Sequence, residues 1–481
     1  MSYLGIDLGT SSVKLLLIDD EQRVIGSASV ALELSRPASG YSEQNPADWI
    51  AATRQGAQAL RAAHPQEFAA ISGIGLSGHM HGATVLGADD QVLRPCILWN
   101  DTRSHAEAAA LDADPQFRAI SGNIVFPGFT APKLVWMRRH EAQLFDRVAK
   151  VLLPKDYLRL WLTGEHVSEM SDSAGTSWLD TGRRDWSDAL LEASGMRRDQ
   201  MPGLVEGTEV SGHLRRELLE EWGLRGPVPV AGGAGDNAAA ACGMGTVAAG
   251  RAFVSLGTSG VLFAANDRYS PAPDSAVHAF CHALPDTWHQ MGVILSATDA
   301  LNWHARVSNA TPAALVDELG ETLRAPGVTF LPYLSGERTP HNDARIRGAF
   351  IGLDHATDRA AMTRAVLEGV AFAIRDSMEA LRAAGTELAA VTAVGGGARS
   401  DYWLTVIATV LGLPVEIPAD GDYGAAFGAA RLGLVAATGA GPQEVLVPPA
   451  TARIIAPDTK HREAFEAAYA RYRALYPALR Q

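Results

Sequence analysis

Leu8-Gly9-Thr10-Ser11-Ser12-Val13 returns far downstream as Leu256-Gly257-Thr258-Ser259-Gly260-Val261, with five of six positions unchanged. Each copy follows a short apolar stretch, Tyr3 to Ile6 or Ala252 to Val254. Each then runs into another, Leu15 to Ile18 or Leu262 to Ala264, and a turn at Asp19-Asp20 or Asn266-Asp267. This pattern predicts a β-hairpin. Glycine permits a tight turn whose successive amides point into one anion-accepting concavity, and the Thr and Ser hydroxyls add donors. Two such hairpins facing across a cleft would grip phosphates from both sides, making Thr10, Ser11, Thr258 and Ser259 candidate contacts. One hairpin of this kind is ordinary, but two near-identical ones, each opening a unit, point to duplication.

A second glycine-rich element completes each half. Pro227 to Ala231 reads as a strand leading into Gly232-Gly233-Ala234-Gly235-Asp236-Asn237 and a helix from Ala238. Ala389 to Val394 leads likewise into Gly395-Gly396-Gly397-Ala398-Arg399-Ser400 and a helix containing Tyr402, Trp403, Val406, Ile407 and Val410. Strand, glycine turn and helix N-terminus is a geometry that receives phosphate or ribose oxygens. A boundary within Thr246 to Gly250 gives two domains, 1–247 and 248–481. Elsewhere short strands alternate with amphipathic helices, so the expected class is α/β.

The composition narrows the partners. At 481 residues the chain is long enough for two cores. The net charge is −13 with no run of basic residues, which argues against nucleic acid. Cys96, Cys242 and Cys281 have no metal-ligand spacing, and so sparse a set fits a reducing compartment. With no apolar stretch of membrane-spanning length and a strand pattern beginning by Tyr3, a cytoplasmic protein with no membrane partner is expected. A homodimer is compatible with the sequence.

Two strings imitate a dinucleotide fingerprint. Gly73-Ile74-Gly75-Leu76-Ser77-Gly78 is followed by His79 to Gly87, which reads as another strand where a helix is required. Gly233 to Ala238 does sit between strand and helix, but no acid for a ribose stands near Ser255.

Asymmetry between the repeats points to the chemistry. Two residues before the turn glycine stands Asp7 in one copy and Ser255 in the other. A carboxylate beside phosphates makes sense facing a cation, so Asp7 is a candidate Mg²⁺ residue acting through water. Asp236, at the glycine turn, suits a base that takes a hydroxyl proton, and spacing alone leaves a helix N-cap equally open. His79 and His81 would share one strand face, but without a third ligand a polar sugar-pocket wall fits better than zinc.

Taken together, these motifs resemble the FGGY carbohydrate kinases, within the actin, hexokinase and heat-shock-chaperone ATPase superfamily. Gly5 to Ser11 is similar to that family's first phosphate loop, Gly128-Phe129-Thr130-Ala131-Pro132-Lys133-Leu134-Val135-Trp136 to its first signature, and Gly348 to Leu353 to its second. Met80 to Thr84, Ile97 to Asp101, Leu153 to Tyr157 and Leu334 to Pro340 are similar to its ketopentose branch, whose members often carry Gln where this chain has His79. The resemblance implies two actin-like, ribonuclease-H-like domains, each a mixed sheet flanked by helices, around a central cleft. It also implies phosphorylation of a small sugar, D-xylulose, by MgATP. Asp236 would be the base and Asp7 the metal support. Met80, His81 and Asn237 would meet the sugar, Lys14 and Thr258 the phosphates, and Gly396 and Gly397 the adenosine. A kinase of a related ketopentose or polyol, or a nucleotide-driven sensor, are the competing readings.

Overall fold

A computed structural model describes residues 1–419, 421 and 423–480. The duplication extends well beyond the hairpins. In the first sheet, Ser2–Leu8 pairs antiparallel with Ser12–Asp19, which pairs antiparallel with Val24–Ala31. On its other side Ser2–Leu8 runs parallel to Ile71–Gly78, then Pro229–Ala231 follows parallel and Val210–His213 antiparallel. In the second sheet Ala252–Leu256, Gly260–Asn266 and Trp288–Ile294 repeat the antiparallel arm. Val391–Val394 and Val415–Pro418 repeat the parallel strands, and Thr451–Ile455 the antiparallel edge. Six strands thus share order and direction in both sheets, and His278–Cys281 extends the second.

The first strand is buried on both faces, so it reads as almost unbroken apolar sequence. Leu4, Ile6 and Leu8 face a cluster containing Trp49 and Leu60 of helix Pro46–Ala63. Tyr3, Leu16 and Ile18 face a second cluster that includes Ala426, Phe427 and Ala430 of helix Ala425–Thr438. That helix, late in the chain, packs on the first sheet, an arrangement that division at residue 247 does not express.

Glycines make this packing close. A Cβ at Gly5 would lie 1.9 Å from the Ala426 carbonyl oxygen, and one at Gly75 would lie 1.8 Å from that of Ala429. The string Gly73 to Gly78 therefore lies wholly in a strand, and its glycines admit a helix backbone. The strand expected over His79 to Gly87 forms only at Thr84–Leu86, because His81 takes a left-handed φ of 70° and breaks the run.

Residues between Thr84 and Val205 form an insertion beside the first sheet. It meets the second unit at strand His278–Cys281, where the Asn123 side-chain amide donates to the Ala279 carbonyl (2.9 Å) and accepts from the Ala279 N–H (3.0 Å).

Candidate active site

Asp7, Ser77 and Ala234 lie side by side across the first sheet. Ser77 Oγ donates to Asp7 Oδ1 at 2.9 Å, fixing that carboxylate, and Lys14 is the register partner of Asp7 on the neighbouring strand. The helix Asp236–Met244 begins directly beyond, two residues earlier than expected, with Gly235 at its N-cap. Asp236 is thus the first helical residue, one place past the cap, and its carboxylate still satisfies a first-turn amide. Its Oδ1 accepts from the backbone N–H (2.7 Å) and side-chain amide (3.0 Å) of Asn237. Burial, then the nearby Asp7 charge, raise its pKa to about 6 against the lowering pull of the Asn237 donors. Two carboxylates in one site with a raised pKa suit proton acceptance near neutral pH.

Met80 covers this turn, its Cγ and Sδ lying 2.9 and 3.0 Å from where a Cβ of Gly235 would stand. The His81 ring stacks on Phe129 at 4.5 Å and 18°. Its Nδ1 lies 2.7 Å from the Gly175 carbonyl, which can only accept, so Nδ1 carries the proton. Burial, then the charge of Lys133, push the ring's pKa down to about 3, keeping it neutral with Nε2 as acceptor. His79 behaves differently from the expected pocket wall: it is buried edge-on to Trp49 at 5.9 Å. Neither of its ring nitrogens finds a partner among the described residues.

Beneath the turn lies a charged cluster assembled from residues whose proximity is set by tertiary packing. Lys155, Asp156, Arg159, Glu169 and Asp172 are all fully buried. Lys155 Nζ lies 2.6, 3.1 and 3.3 Å from Asp156, Asp172 and Glu169. Arg159 donates to the Ala231 and Gly232 carbonyls at 2.7 and 2.6 Å. Glu169 holds Ser171, whose Oγ accepts from the Gly235 N–H at 3.0 Å. The backbone on both sides of the glycine turn is therefore pinned. The one available signal was the Lys155-Asp156 pair inside an apolar helix pattern.

The turns themselves carry the remaining candidates. Thr10 Oγ1 accepts from Trp99 Nε1 at 2.9 Å, and the Thr10 carbonyl accepts from Gln44 at 2.7 Å, while Ser11 is exposed. Thr258 and Ser259 are exposed on a turn braced by Thr298, whose N–H and hydroxyl donate to the Gly257 carbonyl. Gly396 and Gly397 follow strand Val391–Val394 and line a cavity of about 1020 Å³ with Arg399 and Tyr402 of the same motif and with Thr298 and Asn302, which were not singled out from sequence.

Two duplicated α/β units carrying paired phosphate-type turns and a carboxylate pair define an actin-like sugar-kinase fold. Residues 2–243 match the N-terminal domain, and residues 252–437 the C-terminal domain, of the FGGY family of carbohydrate kinases, and the chain belongs to that family. Within it, xylulose kinase of Escherichia coli K12 is 49% identical over 438 residues, 90% of each chain. The crystal structure of a xyloylose kinase from Brucella ovis superimposes with a TM-score of 0.99 at 68% identity, covering 100% of this chain and 99% of that one. Xylulose kinase from Rhodospirillum rubrum gives a TM-score of 0.93 at 29% identity, again covering 100% and 99%.

Proposed function

We propose that this chain transfers the terminal phosphoryl group of ATP to the 5-hydroxyl of D-xylulose, with Asp236 as the base. The observation that carries the chemistry is the raised-pKa carboxylate of Asp236, pinned by the Ser171 bond to Gly235 and set beside Asp7. The choice of sugar rests on the relatives named above.

In this reading residues 1–247 supply the sugar side and residues 248–481 the adenosine side. His81 Nε2 and Asn237 hydrogen-bond the sugar, Met80 packs on it, and Asp236 takes the proton of the attacking hydroxyl. Thr10, Ser11, Lys14, Thr258 and Ser259 hold phosphates, by turn amides, hydroxyls and one ammonium. The cavity beside Gly396 has room for a nucleoside: a Cβ added there meets nothing within 4 Å. For Mg²⁺ the described residues offer no group of three or more His, Cys, Asp or Glu side chains. Asp7, its carboxylate oriented by the Ser77 hydroxyl, is the residue that would support Mg²⁺, an ion that keeps most of its waters. When bound, Mg²⁺ supplies charge neutralisation on the phosphates. The three cysteines are free and buried, which supports a cytoplasmic setting. No helix among the described residues is long and apolar enough to cross a membrane.

A coupled ADP-release assay with D-xylulose, L-xylulose, D-ribulose, L-ribulose, glycerol and gluconate tests the reading. The highest kcat/KM is expected for D-xylulose. Turnover of glycerol or gluconate alone would overturn it.

A further inference from the structure

His81 has a backbone conformation that needs an explanation. Its φ of 70° is left-handed, a region strained for a non-glycine residue that persists only where the surroundings impose it. Its ring is held by the Gly175 carbonyl and Phe129. Its carbonyl accepts two bonds, from Thr130 Oγ1 at 3.1 Å and from Lys133 Nζ at 2.7 Å.

Phe129, Thr130 and Lys133 come from one place, the N-cap and first turn of helix Thr130–His140. Residues three apart lie on one helix face, so hydroxyl and ammonium reach the same oxygen. Lys133 is fully buried, and the bonds its ammonium makes go to carbonyl oxygens. Its second bond, 2.6 Å long, goes to the Gly128 carbonyl. Gly128 in turn packs under the Trp99 carbonyl, 2.3 Å from where a Cβ would stand. An apolar side chain would fill this place without the desolvation cost of an ammonium, and burial lowers the Lys133 pKa to about 7. The ammonium offsets part of that cost by satisfying two buried carbonyls, which a methionine would leave without this donor. What the ammonium does that a methionine cannot is to bind two carbonyls at once.

We propose that Lys133 is the positioning residue for the sugar site, holding His81 in its left-handed conformation through the His81 carbonyl so that Nε2 is aimed at a sugar hydroxyl. This rests on the reading of His81 as a sugar contact. Lys133 touches neither sugar nor nucleotide, and its effect passes through His81.

Steady-state kinetics of the full chain with D-xylulose, comparing Lys133→Met, His81→Ala and the double variant, tests this. Lys133→Met is expected to raise the sugar KM at least tenfold and to leave the ATP KM within twofold. In the His81→Ala background the same change should add less than twofold, because the residue it positions is gone. Equal increases in both KM values, or a full tenfold increase on top of His81→Ala, would overturn the proposal. If Lys133→Met does not fold, Thr130→Val removes the other donor to that carbonyl without touching a charge. It faces the same criteria at about threefold. A crystal structure of the variant gives a readout independent of turnover: a His81 φ outside the left-handed region supports the proposal, and one still near 70° defeats it. Should the wild type ignore D-xylulose, the functional reading fails while this structural test still decides the role of Lys133.

Discussion

Asp236 owes its chemistry to neighbours that stand far away in sequence. The Ser171 hydroxyl that accepts from the Gly235 N–H comes from 64 positions upstream, and Asp7 arrives from the first strand through sheet pairing. Sequence alone could name Asp236 and Asp7, because each stands beside a glycine turn. It could not choose between base and cap, since that depends on where the helix begins. Ser171, Glu169 and Lys133 went unassigned for the same reason: their partners are set by tertiary packing. Asp236→Asn is expected to lose roughly two to four decades of kcat while keeping ATP affinity, as for other positioned bases. The pH dependence follows from the direction of the shift. A pKa raised to about 6 keeps the proton on Asp236 below that pH, where it cannot serve as base. The wild-type kcat/KM for sugar should therefore be level above about pH 6 and fall tenfold per unit below it. A profile flat down to pH 4.5 would remove Asp236 from the role.

Among the elements, the hairpins and helices were legible because their signals are local. Met362, Val366, Ile374, Met378 and Leu381 recur at helical spacing within helix Arg359–Ala383, and Asp401–Leu411 begins beside its glycine turn. What stayed hidden was the use of small residues to bring elements close. Helix Ala425–Thr438 crosses helix Asp236–Met244 so tightly that a Cβ at Gly428 would lie 1.8 Å from the Ala239 carbonyl oxygen and 2.8 Å from the Gly243 nitrogen. Both are backbone atoms, so no side chain can swing away, and the helices would have to part. Gly428→Ala is expected to destabilise by about 1–3 kcal/mol or more, the usual range for overpacking. Gly327→Ala, where an added Cβ meets nothing within 4 Å, serves as the control. Urea unfolding of both variants measures the difference, and equal midpoints would mean that the helix crossing yields at no cost.

Across the whole molecule, the two phosphate-type turns belong to different sheets. The Thr10 bonds go to Trp99 and Gln44, while the Thr258 carbonyl accepts from Ala297 and Asp299. Each turn is thus braced within its own unit, so any change in the angle between the units would carry each turn along as a rigid part. The chain passes between the sheets at Gly245 to Gly250, where both glycines have positive φ. Against free opening stands the insertion. Asn123 is locked to Ala279, Trp288 Nε1 donates to the Thr181 carbonyl at 2.8 Å, and Arg184 donates to the Thr287 carbonyl at 2.9 Å. These contacts join residues 156, 107 and 103 positions apart, which is why the repeat, read alone, shows two domains and nothing of what ties them together. If the proposed function holds, the motion these contacts leave open is a modest closing of the units about the insertion contacts as pivot. Closure would exclude the water that competes with the sugar hydroxyl for the phosphoryl group. Small-angle scattering on the apo, nucleotide-analogue and ternary states should therefore show a small compaction with the analogue, and a further one when D-xylulose is added. ATP hydrolysis without sugar should be much slower than transfer. Scattering curves identical in all three states would mean that the cleft is preformed and the hinge idle.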